Sequence, residues 1–431
     1  MTTDPAMSHF SAPPPADVQV SFRTVTHRID PHMLDVDALK TLRRLRKFGH
    51  EAYLVGGCVR DILMGHQPTD FDIVTSAKPA EIRSAFRNSR IIGRRFRLAH
   101  LHFANGKIIE VATFRRSPCE TDDLSGRHAA ENLFGTAAED AIRRDFTINA
   151  LMYDAEKNCI FDWSSGMSDV SARCLRTIGH PERRIPEDPA RILRAVKFAV
   201  RLDLRFDPPL AEAMQRHADK LLLCSPARLI EELFKILRSG HAVECLYMLQ
   251  EIGALRHLLP ALDDFISAQS HSDNAWRALA RADEQNVAGD TLSDAVLLAA
   301  LLYPACRDVL HTARDVSREL ESVLRPLVHP LPFTRHHMAS VRQMFLALRR
   351  LSAGPAAKRA RKMLERDFAA DAIDLLALVA TEKEELRALS AWRALQKKYP
   401  QSHPKERPTP TKAALRQNPR RRRKPMTAPV A

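Results

Sequence analysis

YLVGGCVRDILMGHQPTDFDIVT, residues Tyr53 to Thr75, is the stretch whose reading decides the fold. It predicts a strand over Ala52–Val55, a glycine turn, a helix over Val59–Met64 halted by Gly65, and a second strand over Phe71–Thr75. Gly56 and Gly57 let the backbone approach a ligand closely, and the helix that follows offers free N–H groups to an anion. Asp70 and Asp72 flank Phe71, so a side-chain period of two sends both carboxylates to one face and Phe71 to the other. The apolar Ile73-Val74 that follows sets the pair beside a core, where like charges repel unless a cation neutralises them. A phosphate cradle beside paired carboxylates is what two Mg²⁺ ions need to hold a nucleoside triphosphate and an attacking hydroxyl. The chain has neither a P-loop signature nor a G-x-G-x-x-G dinucleotide motif. Metal-dependent nucleotidyl transfer is the chemistry left.

Outward from this segment, a helix is expected over Asp35–Phe48 and another from Pro79 carrying Ile82, Ala85 and Phe86. Two apolar runs, Leu98–Phe103 and Lys107–Phe114, meet across Asn105-Gly106, a hairpin signal. Glu110 interrupts the second run, and a carboxylate there is costly unless paired or bound to metal. It is a candidate third acid beside Asp70 and Asp72; an ion pair with Arg115 or Arg116 is the bland alternative. His100 and His102 share a strand face but have no third imidazole nearby, so sheet packing is expected for them.

Residues 117–131 are polar and aperiodic and predict a mobile loop. Beyond about residue 185 strands are expected to vanish. Apolar residues then recur three and four apart, as in Ile192, Val196 and Ala199, or Leu229, Leu233 and Ile236.

The block GGCVRD (Gly56–Asp61) followed by DFD (Asp70–Asp72) resembles the class II branch of the polymerase-β nucleotidyltransferase superfamily, which holds tRNA CCA-adding enzymes and bacterial poly(A) polymerases. Arg143-Arg144-Asp145-Phe146-Thr147-Ile148-Asn149, Asp162 through Asp169 and Glu187-Asp188-Pro189-Ala190-Arg191 match it in the family's order. The resemblance implies an α+β fold. A nucleotidyltransferase head with a small mixed β-sheet and helices is followed by an all-α neck and body and a disordered basic tail. The expected divisions are a flexible leader over 1–30, the head over 31–169, a neck over 170–260, a body over 261–398 and the tail over 399–431.

By the same resemblance, Asp70 and Asp72 hold the metals, and Glu110 or Asp145 completes the acidic set. Gly56, Gly57, Arg60, Asp61, Arg144 and Asn149 are placed around the nucleotide's triphosphate and sugar. Asp188 and Arg191, three apart and so expected on one helix face, read the incoming base, ATP alone or ATP and CTP in turn. Arg194, one turn on, supports them, and Arg228 matches a later family block. An ordinary i,i+3 ion pair is the alternative for Asp188 and Arg191, as a helix cap is for Asp145.

Lys+Arg 66 against Asp+Glu 52 gives a formal charge of +14, which suits a polyanionic partner. Between Ser402 and Ala431 stand nine Lys/Arg and one acid, Glu406. The cluster Arg420, Arg421, Arg422, Arg423 and Lys424 has no interleaved aromatics and suits phosphate contact rather than base stacking. Ile91 to His100, with Arg94, Arg95 and Arg97, resembles the segment that marks poly(A) polymerases within the class and suits a second phosphate track. Cys58 stands where polymerases often carry a third glycine. The seven scattered cysteines form no C-x-x-C pair, which fits reduced thiols and argues against zinc. With no signal pattern and no run of eighteen apolar residues, a cytoplasmic protein without a membrane partner is expected.

The expected function is therefore template-independent addition of AMP from ATP to RNA 3′ ends, with release of pyrophosphate. The alternatives are tRNA CCA addition and a non-catalytic RNA-binding protein on the same scaffold. Protein partners are left unassigned.

Overall fold

The computed structural model describes residues 22–27, 29–93, 97–118, 133–268 and 276–399. Arg94, Arg95, positions 119–131 of the expected loop and the cluster Arg420–Lys424 lie outside the described residues.

The head is built on an eight-stranded mixed sheet. Its strands are β1 (Arg23–Thr26), β2 (Ala52–Val55), β3 (Asp72–Thr75), β4 (Ser89–Ile92), β5 (Leu98–His102), β6 (Ile108–Thr113), β7 (Met152–Asp154) and β8 (Cys159–Asp162), in the order β1-β8-β7-β2-β3-β6-β5-β4. Helices α1 (Val36–Lys47), α2 (Gly57–Leu63), α3 (Pro79–Ala85) and α4 (Ala137–Ile142) accompany it. Asp35 caps α1 by accepting from the N–H groups of Asp37 and Ala38, both at 2.9 Å. Thr136 and Glu139 close a capping box on α4.

Alternation along the strands splits the packing. Ile73, Ile109, Val111 and Leu101 face α1 and α3, burying against Leu42, Leu45 and Ile82. Val55, Val74 and Met152 face the other way and meet Ala138, Ala141 and Phe114. Asp72 lies on this second face, one pleat from Val74.

The leader expected over 1–30 is not uniformly without structure: Arg23–Thr26 pairs antiparallel with Cys159–Asp162 and forms one edge of the sheet. Four residues of RTVT carry too short a pattern to announce an edge strand, and the pairing with a distant segment supplies what local sequence does not.

After α5 (Gly166–Ser171) and β9 (Cys174–Leu175) the chain becomes helical: α6 (Pro181–Glu187), α7 (Arg191–Leu202), α8 (Pro208–Arg216), α9 (Pro226–Leu237), α10 (Ala242–Glu251), α11 (Leu255–Leu258), α12 (Pro260–Ala268), α13 (Arg277–Val287), α14 (Asp294–Thr312), α15 (Val316–Val328), α16 (Arg335–Ser352), α17 (Ala357–Leu364), α18 (Ala369–Val379) and α19 (Lys383–Lys398). One exception corrects the expectation that strands end at 185. Arg205–Phe206, here β10, pairs in parallel with β9 and ties the start of the helical part to the head. Helix α14 is long and apolar enough by composition to cross a membrane, yet it packs among α13, α15, α16 and α18 as the centre of the helical body.

Buried Asp283 caps α10 from the neighbouring α13 by accepting from the N–H groups of Ala242 at 2.9 Å and Val243 at 3.2 Å. Burial pushes its carboxyl up to about 6 against those two bonds. A carboxyl whose folded pKa is raised is disfavoured as its charge forms, so this group's penalty on stability grows as pH rises from 3.8 towards about 6 and is complete above. Asp283→Asn, which keeps an acceptor oxygen, is expected to flatten the rise in melting temperature on acidifying through that window. A slope equal to wild type in thermal melts would contradict this.

Candidate functional site

Gly56 follows β2 with φ 76° and ψ −129°, a conformation side chains resist, and α2 starts at the next residue. A Cβ built on Gly56 would stand 3.7 Å from Arg144 Nη1, so the guanidinium hangs over the glycine turn. Arg144 is aimed there by Asp140, which has no exposed surface and receives Nη2 of Arg144 at 2.8 Å, Nη2 of Arg143 at 2.5 Å and the Arg115 N–H at 3.1 Å. Burial would raise the Asp140 carboxyl, but Arg144 and Arg143 together hold it below the ordinary aspartate range. Sequence reading missed Asp140, although an acid four residues before an arginine on a helix was a usable signal.

Asp72 opens β3, and its register partner across the parallel β3–β6 pair is Glu110. Exposed Asp70 lies just ahead of the strand. The Asp72 carboxyl is raised to about 6, by burial first and then by the Glu110 carboxylate, with Arg144 opposing and Asp70 adding. The carboxylates of Asp70, Asp72 and Glu110 are hard oxygen donors of the kind that Mg²⁺ takes. Among the described residues no three or more His, Cys, Asp or Glu side chains are gathered closely enough to hold a metal ion as they stand. Glu110 does not pair with Arg115 or Arg116; its Oε1 lies 3.1 Å from His100 Nε2, the residue opposite it on β5.

Asp145 sits elsewhere. Its Oδ1 accepts from the Phe146 N–H at 2.9 Å and from Asn149 Nδ2 at 3.3 Å, while Oδ2 receives Arg194 Nε at 3.1 Å. Arg194 also reaches Asp188 Oδ2 at 2.9 Å, and so joins the two acids. The segment Thr147–Asn149 is held from behind by the Asp162–Asp169 block. Thr147 Oγ1 donates to Asp169 Oδ2 at 2.7 Å, and a Cβ on Gly166 would collide with the Thr147 carbonyl oxygen. Asp162 folds that block by accepting the N–H groups of Ser164, Gly166 and Met167 at 2.9–3.0 Å.

Arg60, expected at the triphosphate, is turned inward. It is buried, with Nη2 2.6 Å from Asp61 Oδ1, Nη1 2.6 Å from Asn149 Oδ1, and its cationic centre 4.9 Å from the Phe198 ring centroid. Asp61 receives Arg201 in turn. Arg60 and Asp61 thus stand behind Asn149 and fix its amide. Sequence carries no mark of a guanidinium turned inward.

Asp188 and Arg191 do not share one helix face. Asp188 caps the end of α6 and Arg191 begins α7. Asp188 pairs with Arg194 and with Arg228, the latter at 2.7 Å, rather than with Arg191. Burial would raise its carboxyl, but those two guanidinium groups outweigh it and hold the pKa low. Among the described residues its second oxygen, Oδ1, is buried without a hydrogen-bond partner, and so is Arg191 Nε. The Arg191 guanidinium otherwise rests on the Arg184 carbonyl oxygen and lies 3.6 Å from Glu187 Oε2; burial, then the neighbouring Arg184, lowers its pKa to about 10. Buried polar atoms left without partners are rare, and an acceptor and a donor left open in one motif suit a ligand edge bearing the complementary groups. Arg184, which spans to the carbonyls of Arg143 and Arg144, had no sequence signal. Of the expected phosphate track only Arg97 is described, and it is exposed.

Three family profiles match the chain: the poly A polymerase head domain over 52–176, a region described as "Probable RNA and SrmB- binding site of polymerase A" over 203–266, and the polymerase A arginine-rich C-terminus over 310–427. Poly(A) polymerase I of Salmonella typhi is 36% identical over 394 residues, covering 85% of this chain and 83% of its own. The CCA-adding enzyme of Streptococcus pyogenes is 33% identical over 255 residues, covering 56% of this chain and 61% of its own. Among solved structures, the Bacillus stearothermophilus CCA-adding enzyme in complex with CTP matches with a TM-score of 0.57 at 23% identity, covering 84% of this chain and 82% of that one, which speaks for the fold.

Proposed function

The chain belongs to the poly(A) polymerase family of nucleotidyltransferases, and from that premise we propose that it extends RNA 3′ ends with AMP from ATP. What carries this reading over CCA addition is the reach of the similarity. The poly(A) polymerase I match covers 85% of the chain, where the CCA-adding match covers 56%.

In this reading Asp70, Asp72 and Glu110 hold Mg²⁺, which when bound supplies charge to the 3′-hydroxyl and the triphosphate. Arg144 and the Gly56–Gly57 turn receive the phosphates. Asn149, fixed by Arg60, and Asp145, fixed by Arg194, face the sugar. The 3′-oxygen attacks the α-phosphorus in line, a new phosphodiester forms, and the bond to the bridging oxygen of pyrophosphate breaks. Asp145 is assigned to the sugar rather than to metal because its carboxylate is engaged by Arg194, Asn149 and the Phe146 N–H. Arg97 and the cluster Arg420–Lys424 contribute salt-sensitive phosphate contacts to RNA.

Base choice falls to Asp188 and Arg191, with Oδ1 accepting from the exocyclic amine and Nε donating to a ring acceptor. Hydrogen bonds to charged groups contribute about 1.5–3 kcal/mol, so Arg191→Ala is expected to raise KM for ATP about 10- to 100-fold. The preference for ATP over CTP should shrink with it in single-nucleotide incorporation assays. Unchanged nucleotide preference in that variant would remove the pair from this role.

A further inference from the structure

The sheet carries an ordered row of side chains that extends past the acids. Register sets Asp72 beside Glu110, Glu110 beside His100, and His100 beside Arg90. Directly paired residues share a face, so these four cross the sheet in one line from β3 to the edge strand β4. On this face α4 covers the region around Val55, Val74 and Met152. Farther out, Arg90, His102 and Ile108 are exposed, and Glu110 keeps 42% of its side chain exposed.

The row is polarised. Carboxylates stand at the inner end, His100 bonds Glu110 in the middle, and Arg90 stands at the outer end. The Arg90 guanidinium has no hydrogen-bond or ion-pair partner among the described residues, whereas Arg143, Arg144, Arg184 and Arg194 are all committed. An uncommitted guanidinium on an open strand face suits bidentate binding of a phosphate. Strands lie about 4.8 Å apart, which puts the Arg90 backbone about 14 Å from that of Asp72. A strand of stacked bases rises about 3.4 Å per residue, so the row spans a few nucleotides.

We propose that the open face of β4–β6 is the bed of the acceptor strand: Arg90 binds a backbone phosphate a few nucleotides in from the 3′ end that lies at Asp70 and Asp72. His100 separates that phosphate from the Glu110 carboxylate. The inference rests on the nucleotidyl-transfer reading above and assigns the track followed by the RNA.

The test compares Arg90→Ala and Arg90→Lys with wild type, using an unstructured oligoadenylate and a dinucleotide acceptor. Anisotropy without ATP should show oligoadenylate binding weakened about tenfold by Arg90→Ala, with the salt slope reduced by about one. Arg90→Lys should keep the slope and lose part of the affinity. KM for the oligonucleotide should rise while KM for ATP stays put, and extension of the dinucleotide, too short to reach Arg90, should match wild type. Wild-type affinity and slope in Arg90→Ala would overturn the proposal, as would an equal loss on the dinucleotide. Failure of wild-type protein to extend any RNA would defeat the activity reading instead, since the binding measurements need no turnover.

Discussion

Asp72→Ala is expected to lower AMP transfer by several orders of magnitude while leaving RNA affinity close to wild type. The reason lies in the register: Asp72 is paired with Glu110, follows Asp70, and has its carboxyl raised to about 6 by burial and by those neighbours. Removing it takes away the carboxylate that stands between Asp70 and Glu110 in this reading, and charge neutralisation at the reacting phosphate is the largest contribution such sites make. RNA affinity should survive because the phosphate contacts proposed here, Arg90 and Arg97 among them, do not depend on Asp72. Single-turnover extension and anisotropy on the same preparation separate the two effects. A variant that keeps more than about a tenth of wild-type turnover would refute the assignment, because a missing member of a metal-holding set costs far more than tenfold.

Asp140→Ala should be the most destabilising single change in the head. The carboxylate is fully buried and receives Arg143, Arg144 and the Arg115 N–H. Its loss leaves two guanidinium groups and a main-chain donor without their partner, and breaking a buried pair from one side costs about 3–5 kcal/mol. Asp140→Asn retains shape and one acceptor, so it should fall between. Activity should drop as well, through KM for ATP, since Arg144 would no longer be held over Gly56. Chemical denaturation midpoints and ATP kinetics check both arms; a melting temperature within about a degree of wild type for Asp140→Ala would show that the arginines are held by something else.

The elements around the glycine turn were legible because each follows a strong local rule. Tyr53–Val55 and Ile73–Thr75 carry an apolar strand pattern, and Gly56 marks a backbone that needs positive φ. Leu98–His102 and Ile108–Thr113 pair as antiparallel neighbours on either side of Asn105-Gly106, as the turn signal implies. Glu110 was readable as a partner of Asp72 because an acid inside an apolar strand demands an explanation. What could not be read was where side chains turn once the chain is folded. Arg60 follows the glycine turn in sequence but packs inward on Phe198 and Asn149. Asp188 and Arg191 have helical spacing, yet Pro189 keeps them on the ends of two helices, and Asp188 finds its partners at Arg194 and Arg228. The strand at Arg23–Thr26 exists because Cys159–Asp162 offers it an edge, a long-range condition that no local pattern announces.

The most direct measurement is extension of two acceptors, an unstructured oligonucleotide and a tRNA lacking its CCA end, with ATP alone, CTP alone and both, in the presence of Mg²⁺. Long A-tracts on the unstructured RNA from ATP alone are the predicted result. Addition limited to C, C and A on the tRNA, with none on the unstructured RNA, would contradict it and reassign Asp188 and Arg191 to alternate reading of two bases.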